Sequence, residues 1–417
     1  MAQKPKSPRG IRYWLQQLHL WTGLILLLPL VAMGISGAVL VYAHDLPSLF
    51  GAARPQITAA GEWQSPAALI AAARAEAGAA GSGRVPLSVS WPVKPGEPAM
   101  VRLSRPGLAA ESGASAPPRT SPFAGSVPVL LDPVTAQPVR RAAPAMSGWV
   151  RFFHDLHGHL FITGGLGRRL VGWLGIAMLA LGCSGLVLWW PRQWRDGQWK
   201  AAFMVRRTAR GVRLHRELHG AAGIWSLTIF MLVSFTGVYI AFPQQTAAMI
   251  NAVFPGRDLR AAQLQARVAP LPGAMPIALD AAIDLARAKV PDARFLSAFL
   301  PVQPSQPLRI GLIRAGHEEG APAITVLVDP WRHSVIDVFD PAGFSAGETI
   351  MAWQRALHEG AGLGGIYRFL VFLSGLIIPL FAVTGFFMWW IKRRNRKATE
   401  RARQAALRQA AAPGSAE

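Results

Sequence analysis

The sequence predicts an α-helical membrane protein, a four-span bundle made of two parallel repeats, each carrying an external α+β domain. Three observations predict it. Four apolar blocks, roughly Leu18–Tyr42, Leu170–Trp190, Ile224–Phe242 and Phe369–Ile391, each come near or pass the ~20 residues a helix needs to cross a bilayer core. Positive charge is confined to particular joining segments, and a set of residues recurs at a spacing of 200.

Charge orders the elements. Segments 1–12, 191–216 and 392–417 carry 4, 8 and 8 of the 43 Lys and Arg residues, against only Asp196, Glu400 and Glu417. They therefore hold +17 of the net +21. Four spans, 13–43, 166–190, 217–243 and 365–391, put these three segments on one side, and the positive-inside bias makes that side the cytoplasm. Segments 44–165 and 244–364 then form the external domains. Nucleic acid is excluded as a partner, because the charge does not sit on a soluble domain. The first block is too long for the apolar core of a signal peptide and reads as a retained anchor. The single cysteine, Cys183, lies inside the second span, so no disulfide is expected outside. With no CxxCH motif or paired CxxC, covalent haem attachment and iron–sulfur ligation are excluded too.

The repeat pairs His19 with His219, Gly23 with Gly223, and Ser36-Gly37 with Thr236-Gly237. It also pairs Gly164-Gly165 with Gly364-Gly365, Arg168 with Arg368, Ser184-Gly185 with Thr384-Gly385, and Trp189-Trp190 with Trp389-Trp390. Leu156-His157 matches Leu357-His358 after a slip of one residue. Each unit reads span, external domain, span, so a pseudo-two-fold axis is expected along the membrane normal. Within each external domain an Ala-rich helical stretch, 65–78 or 276–290, precedes β-type runs that end at Asp132-Pro133 or Asp329-Pro330 turns. The Pro/Gly/Ser/Ala-rich stretch 104–127 reads as a mobile loop inserted in the first domain.

Eight of the ten histidines lie at span ends. A single interfacial histidine is ordinarily a polar tip at headgroup level. The repeat, however, sets His19 opposite His219 at one depth and His157 opposite His358 at another. Two opposed imidazoles in apolar surroundings are the axial ligand set of a b-type haem. His215, His154 and His44 are alternates. Zinc would need three or four clustered ligands, and only the HDLHGH run at 154–159 leaves such a site open. Gly37, Gly185, Gly237 and Gly385 fall at the levels of the paired histidines, giving room for a flat macrocycle or for close helix packing. Arg168 and Arg368 suit haem propionates or lipid headgroups equally. The paired tryptophans read as an aromatic belt against membrane lipids. GGLGRR at 164–169 is not a phosphate loop, lacking Lys-Ser/Thr and a preceding strand, and HRELHG is not HExxH.

QLHLWTGL (17–24), GRRLVGWLG…SGLVLWWPR (167–192), LHGAAGIW (218–225) and TGFFMWW (384–390), in that order, resemble the PepSY-associated transmembrane family. The resemblance covers nearly the whole chain. It implies PepSY-like periplasmic domains on a bacterial inner-membrane protein with cytoplasmic termini. It further implies a likeness to ferric-siderophore reductases, with haem b, two per chain, ligated among His19, His219, His157 and His358. The expectation is an electron conduit from a quinol or a cytoplasmic reductase to a ferric siderophore or other ferric chelate outside. No protein nucleophile or general base is needed for it, and no nucleotide or flavin fingerprint is present. The alternative is a non-redox module binding or regulating a periplasmic partner such as a peptidase, which has no use for histidines matched at two depths.

Overall fold

The computed structural model describes residues 10–43, 45–46, 57, 59–78, 83–105, 125–139, 148–191 and 202–411. His44, most of the 104–127 insertion, and much of the basic tails and loop lie outside the described residues.

The first apolar block forms α1 (Ile11–Ile25) and α2 (Leu27–Val41), which meet at Leu26 with a bend of 68°. Pro29 supplies the cause: it has no N–H for the carbonyl of Ile25, and its ring crowds that turn. Next come α3 (Pro66–Glu76), β1 (Pro86–Ser90), β2 (Ala99–Leu103), β3 (Val127–Leu131), α4 (Gly148–His159) and α5 (Gly165–Trp189). The second half runs α6 (Gly211–Ala241), α7 (Pro243–Val253), α8 (Leu259–Gln265), α9 (Leu279–Lys289), β4 (Ala293–Phe299), β5 (Leu308–Arg314), β6 (Ile324–Asp329), β7 (Ser334–Phe339), α10 (Ala346–Glu359) and α11 (Gly364–Ala411). Helices α5, α6 and α11 are each long and apolar enough to cross a membrane, and the bent α1–α2 pair makes a fourth span if counted as one. Helix α11 does not stop with its apolar block. Strong helix formers carry it on to Ala411, through a basic stretch that is exposed as far as Arg408.

Small residues bring the helices together. A Cβ on Gly34 of α2 would lie 2.6 Å from the carbonyl of Gly375 on α11, and one on Gly375 would lie 2.6 Å from the carbonyl of Gly34. On α5, a Cβ on Gly175 would lie 2.9 Å from Val238 of α6. Dispersion contacts of this kind replace the hydrophobic effect where lipid is the solvent.

The external segments were expected as two domains, and their strands join into one sheet. It is antiparallel and seven-stranded, in the order β3-β2-β1-β4-β5-β6-β7. The seam is β1 against β4, with Ser88, Val89 and Ser90 opposite Phe299, Ala298 and Ser297. Separate domains would each expose the unpaired backbone of one edge strand, and pairing the two edges removes both. Helices α3 and α9 cover one face, burying Leu69, Ala73, Val89, Val101, Ala286, Ile310 and Val326. The Ser65 side chain caps α3, with Pro66 following in the first turn. The other face is covered at β6 and β7, where Leu327 and Phe339 pack with Leu259 of α8 and Ala352 of α10. Asp132 and Asp329 shape matching turns: each Oδ1 accepts from the backbone N–H groups two and three residues on.

Candidate functional site

Helices α4 and α10 precede α5 and α11 and lie against α2 and α6 respectively. That placement delivers four histidines to four matched receivers. His19 of α1 places Nδ1 2.9 Å from Ser184 Oγ of α5, and His219 of α6 places Nδ1 2.8 Å from Thr384 Oγ1 of α11. His157 of α4 sits 3.1 Å from Ser36 Oγ and 3.1 Å from the Met33 carbonyl, both on α2. His358 of α10 sits 3.1 Å from Thr236 Oγ1 and 3.0 Å from the Val233 carbonyl, both on α6. In every case the residue after the hydroxyl is a glycine that makes room for the ring. A Cβ on Gly37, Gly237, Gly185 or Gly385 would stand 2.9, 3.0, 3.4 or 3.8 Å from the Cε1 of its histidine. The four glycines are thus spent on imidazole edges, a use the sequence reading did not include.

The hydroxyls decide the tautomer. Each donates its only proton back along its own helix: Ser36 to the Ala32 carbonyl, Ser184 to Ala180, Thr236 to Leu232 and Thr384 to Leu380, at 2.6, 2.6, 2.9 and 2.7 Å. With the hydroxyl proton so placed the oxygen accepts and Nδ1 carries the imidazole proton, and at His157 and His358 the Met33 and Val233 carbonyls, which can only accept, require the same tautomer. In the neutral ring Nε2 then keeps its lone pair, and no described residue bonds to Nε2 in any of the four.

The receivers also set the pairs. The rings of His19 and His219 have centroids 6.2 Å apart, and those of His157 and His358 are 6.0 Å apart. Along the unbroken α6, seventeen residues separate His219 from Thr236, which holds His358, so the pairs lie ~25 Å apart at the usual helical rise. Burial, with the charge of His358 next, holds His157 down to about 4, and burial also pushes His358 below the ordinary imidazole value. Both are neutral at physiological pH.

A family model described as the PepSY-associated TM region matches residues 16–392. The chain belongs to that family. An uncharacterised protein of Pseudomonas aeruginosa, PA4219, is 28% identical to it over 263 residues, covering 58% of this chain. The matched stretch spans 63% of that relative's length.

The other candidate residues of this PepSY-associated membrane protein fall outside the pairs. Arg368 donates to the Val41 carbonyl at the end of α2 through Nε at 3.1 Å, pairs with Asp45, and lies 4.5 Å over the Tyr42 ring. Arg168 donates to the Ile240 carbonyl near the end of α6 at 3.1 Å. Both therefore satisfy orphan carbonyls at the C-terminus of a neighbouring helix. His215 stacks on Phe387 with centroids 5.2 Å apart, and its buried Nδ1 meets no hydrogen-bond partner among the described residues. In the HDLHGH run, His154 and His159 turn toward Asp155 while His157 turns inward to α2. Among the described residues no three His, Cys, Asp or Glu side chains gather as a metal site.

Sequence reasoning missed what lies at the opposite end of the bundle. Trp189 and Trp225 donate their indole N–H groups to the successive carbonyls of Ala202 and Phe203, with the Phe203 ring packed against both indoles. Buried Glu217 receives Arg206 and Arg213 at 2.7 and 3.0 Å. The end of the basic loop is thereby pinned to α5 and α6. The Ser/Thr hydroxyls, by contrast, had a signal, since each precedes a repeated glycine.

Proposed function

We propose that this protein is a haem-containing electron conduit of a bacterial inner membrane, reducing a ferric siderophore or other ferric chelate on the periplasmic side. The shared tautomer carries this reading. Four imidazoles, each with Nδ1–H held by a hydroxyl and Nε2 unbonded among the described residues, present the form in which histidine binds a metal, oriented by the kind of outer contact such ligands require. Their grouping as two facing pairs suits two b-type haems: His19 with His219 on the cytoplasmic side, and His157 with His358 on the periplasmic side. Iron held between two imidazoles supplies reversible one-electron chemistry. The chain's own residues hold the rings, keep them neutral and surround them with apolar helix. Arg168 and Arg368 retain N–H groups for propionates beyond those used on helix ends. Electrons would come from a quinol or a separate cytoplasmic reductase.

An optical spectrum of the purified chain tests the reading. Dithionite should produce a sharp Soret band and α/β bands from about two haems per chain, and acid-acetone should extract them, since nothing anchors haem covalently. A colourless preparation from haem-replete cells overturns it and leaves the non-redox module that binds a periplasmic partner. Reduced protein should also be re-oxidised by a ferric chelate, with ferrous iron caught by a ferrozine-type trap.

A further inference from the structure

The register of the seven-stranded sheet sets charge on the face opposite to helices α3 and α9. Arg102 lies opposite Ser88 in β2 and β1, Ser88 opposite Phe299 across the seam, and Phe299 opposite Arg309 in β4 and β5. Directly opposed residues project from the same face, so these four form one row across four strands. Arg309 is also opposite Leu327, which packs beneath α8 and α10, the helix that carries His358. The row therefore lies on the face turned toward the spanning helices. In its middle the face bears Ser88, Ser90, Ser297 and Gly311, small residues that give a helix nothing apolar to seat on.

The two arginines differ from their neighbours. Arg257, Arg314 and Arg332 of the same domain each meet one or two carboxylates. Arg309 meets none among the described residues. It lies 4.9 Å over the Phe299 ring and lines a cavity of about 80 Å³ with Gln263, Leu264 and Gln306. Burial without a counter-charge pulls its pKa below the ordinary guanidinium value. Among the described residues Arg102 meets the neutral Ser126 hydroxyl, at 3.2 Å, and the Met100 sulfur, and no carboxylate. A part-buried guanidinium with no acid partner favours an incoming carboxylate, which it can grip with two parallel hydrogen bonds. Three strand spacings separate the pair, ~14 Å between Cα atoms, so both side chains can close on an anion several ångströms across.

We infer that Arg102 and Arg309 form a binding site for a carboxylate-rich anion on the sheet face above the His157–His358 pair. Identifying that anion as the ferric chelate rests on the conduit reading; the site itself does not. The serines and Gly311 leave room for the ligand between the arginines, and Phe299 holds the Arg309 fork in place.

Equilibrium dialysis of the full chain in detergent, with redox-inert gallium citrate as probe, tests the inference. Arg309→Gln and Arg102→Gln should each weaken retention about tenfold or more, the loss expected for a hydrogen-bonded charge. Arg309→Lys should restore part of it, and Arg267→Gln, on an exposed side chain, should change nothing. Metal-free citrate, run in parallel, separates a site for the carboxylates alone from one that takes the whole chelate. Unchanged retention in a folded Arg102→Gln/Arg309→Gln variant overturns the site. So does equal retention of a gallium complex of a cationic trihydroxamate. Colourless protein that still retains gallium citrate would sink the conduit and keep the site.

Discussion

The two halves hold their histidines alike and build the surroundings differently. In the first half the helix bearing His19 ends at a 68° bend, whereas in the second His219 sits on a helix continuous from Gly211 to Ala241. Before the bend α1 presents Ile11, Trp14, Leu18, Trp21 and Ile25 as an exposed apolar stripe, suited to face lipid. The turns after α4 and α10 differ too. Leu160 and Phe161 take left-handed backbone at φ 53° and 58°, which costs non-glycine residues strain, while the second half uses Gly360 and Gly362 at 74° and 79°. Yet the hydroxyl–glycine receivers match in all four places. Scaffold geometry can drift so long as Nδ1 is held and the ring edge has room.

That comparison breaks most decisively at the histidines themselves. His219→Ala should remove one haem and His358→Ala the other, lowering a pyridine-haemochrome ratio from about two per chain to about one. His215→Ala should leave the ratio alone. If His215→Ala costs a haem and His19→Ala does not, the pairing by halves is wrong.

The glycines should separate the two pairs. Alanine at Gly37 or Gly237 puts a methyl 2.9 or 3.0 Å from the imidazole, closer than the ring can accept without moving. At Gly185 and Gly385 the same methyl lies at 3.4 and 3.8 Å, ordinary or nearly ordinary contact. Gly37→Ala and Gly237→Ala should therefore displace the His157–His358 haem in a titration of apo-protein, with Gly185→Ala and Gly385→Ala largely tolerated. Equal losses at all four would mean the spacing differs between the pairs less than described.

Removing a hydroxyl should cost less. Ser184→Ala or Thr384→Ala frees Nδ1 without touching Nε2, and outer-contact losses of this kind weaken metal affinity roughly 10- to 100-fold. The effect should appear in haem dissociation rates, and the α-band should remain. No change in those rates would indicate that the tautomer is fixed by something else.

A further effect concerns pH. Because the folded pKa of His157 is depressed to about 4, the unfolded chain binds more protons between there and the ordinary value near 6.5. Apo-protein should hold its full stability from this residue above about 6.5 and lose it as pH falls toward 4. A melting series on wild type and His157→Phe reads this out, and the variant should show the shallower slope.

Much of this was legible in the chain. Apolar length is local, so the positions of the spanning blocks follow from hydropathy, and a spacing of 200, with a slip of one residue for the second pair, was enough to set His19 opposite His219 and His157 opposite His358. Depth along a helix is a matter of counting residues. The direction of a side chain around the bundle is not, which is why Gly37, Gly185, Gly237 and Gly385 could be assigned a level but not a neighbour. Arg168 and Arg368 likewise had a depth, and only packing showed the helix ends they reach.

Two prolines make the same point. Pro29 and Pro379 both interrupt apolar helix, yet the chain breaks only near Pro29, while α11 runs unbroken through Pro379. The β1–β4 seam joins strands some two hundred residues apart, and neither strand's pattern names its partner. Local composition determined the spans, the basic ends and the histidine levels, because those depend on residues near one another in sequence. Tertiary structure alone decided the seam and the proton on Nδ1, because each depends on a backbone or hydroxyl partner brought in from a distant segment.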